Sequence, residues 1–314
     1  MQTTFRKVLS LALLLFCLVW IGLYISRNPS EFSSIRDLST GTVAFLAAVL
    51  LIDTIILGLF NKVLMDHLEV PLKFKEWYGL SIVSNLWNYI LPFRGGAGIR
   101  AIYLKKVHQF SISDFFGTML ALYFISFLVN SFIGLVCVFT IYFKYAVLHF
   151  PISLFFGVVF VITGGSVLLS PKIPNTKNWL LEKIFSVLKS WDNIRKERRL
   201  IERLILVVVV HAVLELLTVY IGFAAYHIEL SLVKCLFIST IFSFSVLIKI
   251  TPGSLGITEA LMIIGANTFG ISPGQSLLVA GLIRIVNICL IFIIAPIFNY
   301  KLMNDFRLAR SASG

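Results

Sequence analysis

Long apolar runs separated by short polar segments make up most of the chain. Residues 8–26 and 115–143, for example, contain no Asp, Glu, Lys or Arg. Because a helix needs about 20 mostly apolar residues to cross the hydrocarbon layer of a bilayer, runs of this length are typical of membrane spans. The pattern predicts six spanning helices, over residues 8–26, 41–61, 113–143, 148–170, 204–226 and 274–298.

Two further apolar segments are too short or too interrupted to be ordinary spans. In residues 77–104 the apolar part ends at Leu91 and is broken by Pro92, and residues 231–270 form two short arms around ITPGSLGITE. Irregular backbone at membrane depth is tolerated only where it is buried in protein or lines a wet cavity. Each segment is therefore predicted to be a re-entrant hairpin. For 231–270, two complete crossings remain an alternative, because both paths return the chain to the same side.

The order of these elements predicts an inverted repeat. Residues 1–143 contain two spans, a broken hairpin and a third span, and residues 144–314 repeat that order starting from the opposite side of the membrane. The two breaks also correspond, with Pro92 opposite Pro252. Inverted repeats with interrupted helices at matching positions are typical of transporters, whose substrate site lies where the repeats meet.

Composition supports an all-α protein embedded in a membrane. Hydrophobic residues make up 58% of the chain and charged residues 13%, whereas soluble domains carry about 25% charged residues. The net charge of +12 comes from Lys and Arg that concentrate in particular loops, which the positive-inside rule places in the cytoplasm. We therefore expect a plasma-membrane protein with both termini cytoplasmic. A nucleic-acid partner is not expected, because the basic charge follows membrane topology.

Residues 176–202 differ from the spans. Apolar residues recur there at helical spacing and basic residues occupy the other positions. This pattern predicts an amphipathic helix that lies on the anionic cytoplasmic leaflet, with a solvated linker helix as the alternative. The apolar positions are Leu180, Ile184, Val187, Leu188, Trp191 and Ile194.

Charged residues inside apolar segments are the candidate functional residues, because they are costly in a membrane and usually functional. Arg94 and Arg100 flank glycines that allow close approach of the backbone to a ligand, and an Arg fork suits phosphate; both could instead be topology anchors at the interface. Glu259 and Arg284 form either a bracing ion pair or a headgroup contact in which Glu259 orients Arg284. The predicted headgroup-binding set is Arg94, Gly95, Gly96, Arg100, Gly253, Gly256, Glu259 and Arg284.

Three other residues are candidates for proton coupling: Asp53, His211 and Glu215. The last two are four residues apart and share one helix face. No His or Cys cluster with metal-ligand spacing accompanies them, so neither a metal nor another cofactor is expected. No catalytic residue is expected either, because the chain contains no nucleophile elbow, Walker loop or paired acidic metal motif.

The two hairpin motifs resemble those of the lysylphosphatidylglycerol synthase transmembrane family, also called flippase-like. The family motif P-x-R-x-G-E-x-x-R is similar to Pro92, Arg94, Gly96 and Arg100, with Ala97 in place of the Glu. The second motif, P-G-G-x-G-x-x-E with a later Arg, is similar to the segment around Pro252, with Ser254 at its middle glycine; the matching residues are Pro252, Gly253, Gly256, Glu259 and Arg284.

The resemblance implies a membrane unit that moves lipids between leaflets. In the synthases this unit is fused to an aminoacyl transferase, and in some archaeal relatives to a glycosyltransferase. For this chain the resemblance implies the translocating half without the synthesising half. We therefore expect a translocase for a phospholipid or polyprenyl-phosphate-linked lipid with an anionic headgroup. The alternatives are an intramembrane headgroup transferase and a scaffold for a separate lipid-synthesising enzyme.

Overall fold

The computed structural model is all-α, with no strand among the residues that it describes: 26, 38–91, 95–145, 150–169, 178–247 and 251–311. Short 3-10 turns at Phe244–Leu247 and Pro252–Ser254 interrupt the helical order. The helices are α1 (Thr40–His67), α2 (Phe74–Ile90), α3 (Gly95–Val107), α4 (Ile112–Tyr145), α5 (Phe150–Leu168), α6 (Trp179–Lys196), α7 (Arg198–Ala224), α8 (Leu232–Ser243), α9 (Ile257–Asn267) and α10 (Pro273–Ser311).

Within these described ranges, five helices are long and apolar enough to cross a membrane: α1, α4, α5, α7 and α10. They correspond to five of the six predicted spans, and the predicted span 8–26 lies outside the described residues except for Ser26. Helix α10 continues well beyond the predicted end at residue 298. Hydropathy marks only the apolar part of a helix, whereas Lys, Leu, Met and Arg continue a helix readily in polar surroundings.

Each predicted broken hairpin consists of two short helices whose outer ends lie close together. In the first segment, α2 and α3, the Nε2 atom of His108 lies 2.7 Å from Glu76 Oε1. In the second, α8 and α9, the Nζ atom of Lys234, near the start of α8, lies 5.3 Å from the ring centroid of Phe269, which follows α9. Helix α8 has 12 residues, which span only about 18 Å. A helix of this length is shorter than the hydrocarbon core of about 30 Å.

The amphipathic segment is shorter than the sequence pattern predicted. Helix α6 ends at Lys196, and residues 198–202 belong to the spanning helix α7. The break falls at Glu197, whose carbonyl oxygen accepts hydrogen bonds from the Leu200 and Ile201 amides. Apolar periodicity continues across this break, so the pattern could not reveal the new helix start.

The described residues pack as two compact units. The first unit contains the described residues before Thr54, together with Val83–Ala97 and Ala212–Ala295; the second contains Thr54–Ile82, Gly98–His211 and the described residues from Pro296 onward. The predicted repeats, 1–143 and 144–314, stay a prediction. The core of the second unit brings α1, α4, α6 and α7 together through Phe60, Leu64, Ala121, Ile125, Trp191, Ile194, Leu200 and Leu204.

Candidate functional site

Glu259 and Arg284 form an ion pair in the first unit. The Nε atom of Arg284 donates to Glu259 Oε1 at 2.5 Å, and Nη1 donates to the carbonyl oxygen of Gly253 at 2.9 Å. The second carboxylate oxygen of Glu259 accepts the Gly256 amide at 2.7 Å. Because Glu259 lies in the first turn of α9, the free amides and the positive dipole end of that helix also favour its charge. The ion pair therefore braces the turn between α8 and α9.

Two glycines permit the backbone path of this turn. Gly253 has φ +60° and Gly256 has φ +85°, in the left-handed region that glycine adopts without a steric penalty. A methyl group at Gly253 would lie 2.5 Å from a ring carbon of Tyr89 and 3.4 Å from Arg284 Nη1. Gly253 is therefore the point at which the backbone, an aromatic ring and a guanidinium group meet.

Sequence reasoning missed two polar members of this site, Tyr89 and Asn287. The Nδ2 atom of Asn287 donates to the Tyr89 hydroxyl at 3.0 Å. Asn287 lies one helical turn after Arg284, so its place on the same face of α10 was a usable signal. Tyr89 lies three residues before Pro92, a position that marks the inner end of the first broken segment. The inner ends of both broken segments therefore meet α10 within the first unit.

The predicted glycines of the first motif mainly allow two helices to pack closely. A methyl group at Gly96 would lie 1.9 Å from the Ser84 carbonyl oxygen, and one at Gly95 would lie 2.5 Å from Leu91 Cβ. The Gly96 amide donates to Asn88 Oδ1 at 3.0 Å, which caps the start of α3. These contacts hold the start of α3 against α2, and the headgroup contact of both glycines stays a prediction.

The structure places Arg100 in the second unit, and Arg94 lies outside the described residues. Arg100 Nη1 donates to Asn61 Oδ1 at 2.7 Å, and Nη2 contacts Met119 Sδ at 2.8 Å. The guanidinium carbon lies 5.2 Å from the Phe115 ring centroid, a favourable cation–π distance. Arg100 thus joins α3 to α1 and α4, and its headgroup contact stays a prediction.

The proton-coupling candidates lie on two helices, with Asp53 on α1 and the other two on α7. The Ser243 hydroxyl donates to the Glu215 carboxylate within the first unit. His211 is the last α7 residue in the second unit. In the part of the chain that the structure describes, no group of three or more His, Cys, Asp or Glu could hold a metal ion.

A second polar cluster, also missed from the sequence, lies at the outer ends of α2 and α3. Buried Glu76 accepts from the Tyr103 hydroxyl at 3.2 Å and from the Lys73 amide at 3.0 Å, in addition to its contact with His108. Lys75 Nζ donates to Asp305 at the end of α10 at 2.9 Å. This hydrogen bond raises the pKa of Lys75 above its ordinary value. The cluster ties the first broken segment to the last helix.

Replacing Glu76 with alanine is expected to lower the free energy of unfolding by about 1–3 kcal/mol, because it leaves the Lys73 amide without its acceptor and leaves the Tyr103 hydroxyl only its longer contact of 3.5 Å with Asp305. Thermal unfolding in mild detergent measures this change. Asp66→Ala is the matched control: Asp66 pairs with Lys62 at the surface, and such pairs contribute about 1 kcal/mol or less. Equal effects of the two substitutions would contradict the prediction.

Comparison with known proteins finds a family model that covers most of the chain. The family model described as "Lysylphosphatidylglycerol synthase TM region" matches residues 7–295. No curated protein and no solved structure matches the chain. The family match and the five helices of spanning length make this a multi-pass membrane protein with a lipid-related role. Because the match covers nearly all of the 314 residues, the chain belongs to the lysylphosphatidylglycerol synthase transmembrane family.

Proposed function

We propose that the protein moves a lipid with an anionic headgroup, a phospholipid or a polyprenyl-phosphate-linked lipid, between the two leaflets of the membrane. One observation carries the proposal. The inner ends of the two broken segments meet at Gly253, where they are joined to α10 by Arg284 and Asn287. Meeting ends of interrupted helices that expose backbone and charge are where transporters of inverted-repeat architecture bind their substrates.

The proposal includes a re-entrant path for both broken segments. Contacts bring the outer ends of each segment together, at Glu76 and His108 and at Lys234 and Phe269. The inner ends would then lie within the membrane thickness, where an ionised Arg and Glu are costly unless they are paired. Their buried ion pair meets that condition.

Arg284 retains donors for a headgroup. A guanidinium group has five N–H donors, and the contacts with Glu259 and Gly253 use one on Nε and one on Nη1. Among the described residues, no hydrogen bond reaches Nη2. The Tyr89 hydroxyl accepts from Asn287 and so keeps its own hydrogen to donate. A phosphate oxygen beside Gly253 would then be bound by the Arg284 fork and by Tyr89.

The experiment that tests the function uses the purified protein in liposomes that contain a fluorescent phosphatidylglycerol. Dithionite bleaches the label on the outer leaflet only, and mass spectrometry of the same lipid records any chemical change. Lipid that becomes bleachable with unchanged mass supports a translocase. A lipid of new mass without movement supports the headgroup transferase. If the lipid neither moves nor changes mass, the result supports the scaffold function.

The re-entrant path has its own test by labelling with a membrane-impermeant maleimide. We expect cysteines introduced at Glu69 and Gln109, which precede and follow the first segment, to react from the same side, the cytoplasmic side in our topology. The control is a chain in which the four native cysteines are replaced. Reaction of the two positions from opposite sides would contradict both the hairpin and the inverted repeat.

Proton coupling by Asp53, His211 and Glu215 is the energy source we propose, because acidic and histidine side chains inside a membrane commonly carry protons in transporters. We expect a transmembrane pH gradient to accelerate lipid movement, and Glu215→Gln to remove the acceleration while leaving the basal rate. The dithionite measurement with and without a gradient tests this. Equal rates of lipid movement for the unmodified protein and Glu215→Gln, each with and without the gradient, would exclude the coupling.

A further inference from the structure

Helix α6 presents three different faces, and one of them packs on the protein. Ser186, Ser190 and Ile194 follow each other at a spacing of four residues, so they lie on one side of the helix. The Ser186 hydroxyl donates to Ser113 Oγ at 2.9 Å, and the Trp191 and Phe124 rings are 5.2 Å apart. Trp191 and Ile194 are only 3% and 1% exposed. Trp191 and Ile194, two of the six apolar residues expected to face the leaflet, therefore face α4 and the core instead.

A second face is apolar and exposed. Leu181 and Ile184 are 41% and 48% exposed, and half-buried Leu188 continues the row at a spacing of four residues. At 3.6 residues per turn, this row lies well away from the protein-facing row. Trp179, at the start of the helix, is also exposed, and Lys183 Nζ lies 3.8 Å from its ring centroid.

The third face is polar and largely basic. Glu182, Lys189 and Lys196 follow each other at a spacing of seven residues, which is nearly two turns, and all three are exposed. Arg198 and Arg199, directly after the helix, are exposed as well. Lys196 pairs with Asp192, and Arg198 pairs with Glu202. Residues 179–203 still contain seven basic residues against four acidic ones, so the segment beside the exposed apolar row carries a net positive charge.

Contacts with α5 place α6 at the edge of a membrane-spanning surface. Arg195 Nη1 donates to the Val167 carbonyl oxygen at 3.1 Å, in the last turn of the α5 span. Leu168 and Leu169, directly after it, are exposed. An apolar surface that would face lipid on α5 therefore ends where α6 is attached.

We infer that α6 lies in the interfacial region of one leaflet, with Leu181 and Ile184 in the acyl-chain boundary and with Lys189 and Lys196 on anionic lipid headgroups. A helix with an apolar row beside a basic face binds such an interface through apolar burial and charge together. Long lysine stems allow the ammonium groups to reach the headgroups from beside the apolar row. The occupant of this face is the lipid surface, and the interaction does not depend on lipid movement by the protein.

Nitroxide labels on the full chain test this inference. The four native cysteines are replaced by alanine, and single cysteines are introduced at Leu181, Ile184, Glu182 and Lys189. Electron paramagnetic resonance then measures the collision rates of each label with oxygen, which enters lipid, and with a water-soluble nickel chelate. The liposomes contain phosphatidylcholine alone or with phosphatidylglycerol.

With phosphatidylglycerol present, we expect collisions with oxygen to be the more frequent at positions 181 and 184. At positions 182 and 189 we expect collisions with the nickel chelate to be the more frequent. Charge reversal by Lys189→Glu and Lys196→Glu should lower the ratio of embedded to solvated helix roughly thirtyfold for each lysine, because each reversal changes the charge by two units at about 1 kcal/mol per unit near an anionic surface. The matched control reverses two exposed lysines elsewhere, Lys105→Glu and Lys106→Glu, and should leave the profile unchanged.

Three results would overturn the inference. Nickel dominance at all four positions would make α6 a solvated helix. Spin–spin broadening at positions 181 and 184 would make the apolar row an interface with a second copy of the chain. An embedded profile that is the same without phosphatidylglycerol would remove anionic lipid as the partner. Since the assay needs no lipid movement, its failure is distinguishable from failure of the translocase proposal.

Discussion

Replacing Gly96 with alanine is expected to prevent the close packing of α2 and α3 and to abolish lipid movement. The added methyl group would lie 1.9 Å from the Ser84 carbonyl oxygen and 2.7 Å from its carbon. These are backbone atoms, so no side-chain rotation can relieve the clash. Overpacking costs about 1–3 kcal/mol when side chains can adjust, and we expect a loss of about 3 kcal/mol or more here. Thermal unfolding in detergent measures the loss of stability, and the dithionite measurement records lipid movement.

Gly98→Ala is the matched control for this prediction. It lies two residues further along α3, where a methyl group would meet no atom within 4 Å. Alanine is favoured over glycine inside a helix by about 1 kcal/mol, so we expect Gly98→Ala to be neutral or slightly stabilising. A Gly96→Ala protein that unfolds at the same temperature as Gly98→Ala would show that α2 and α3 do not approach this closely.

Replacing Arg284 with alanine is expected to have the second large effect. It leaves the Glu259 carboxylate, whose side chain is only 7% exposed, without its cation. Removing one partner of a buried ion pair costs about 3–5 kcal/mol, so the variant should unfold at a markedly lower temperature and move no lipid. Loss of movement by this variant alone would not separate binding from folding.

A paired substitution makes that separation. Arg284→Met combined with Glu259→Gln removes both charges, and the glutamine oxygen can still accept the Gly256 amide. Because replacing a buried ion pair by neutral residues is often nearly neutral in stability, this protein should recover most of the lost stability while remaining inactive. Full lipid movement by the paired variant would contradict a headgroup role for Arg284 and leave the ion pair a purely structural brace.

The sequence was sufficient to locate five of the six predicted spans and the two places where helices are interrupted. A spanning helix needs about 20 apolar residues in a row, which is a local property of the chain, and α1, α4, α5, α7 and α10 all coincide with predicted runs. Proline and glycine interrupt helices for reasons that depend on the residue itself. The short list of charges inside apolar segments also contained Glu259 and Arg284, because an ionisable residue in a span is recognisable without any knowledge of its partner.

Which side chains contact each other across the chain was decided only by the tertiary structure. Tyr89 meets Asn287 across 198 positions of sequence, and neither residue type is unusual enough to be selected by composition or spacing. Lys75 likewise meets Asp305 across 230 positions. Side-chain contacts between distant segments depend on how helices pack, which periodicity along one helix does not encode.

Helix α6 shows, within a single helix, the same difference between what the sequence determined and what the tertiary structure decided. Its sequence determined an amphipathic helix, because apolar and basic residues alternate at helical spacing. Which apolar residues face protein was decided by α1, α4 and α7, whose shared core buries Trp191 and Ile194 and leaves Leu181 and Ile184 exposed. Burial of an apolar side chain is favourable against protein as well as against lipid. The sequence therefore determined an amphipathic helix, and only the packing of neighbouring helices decided which of its apolar side chains contact protein.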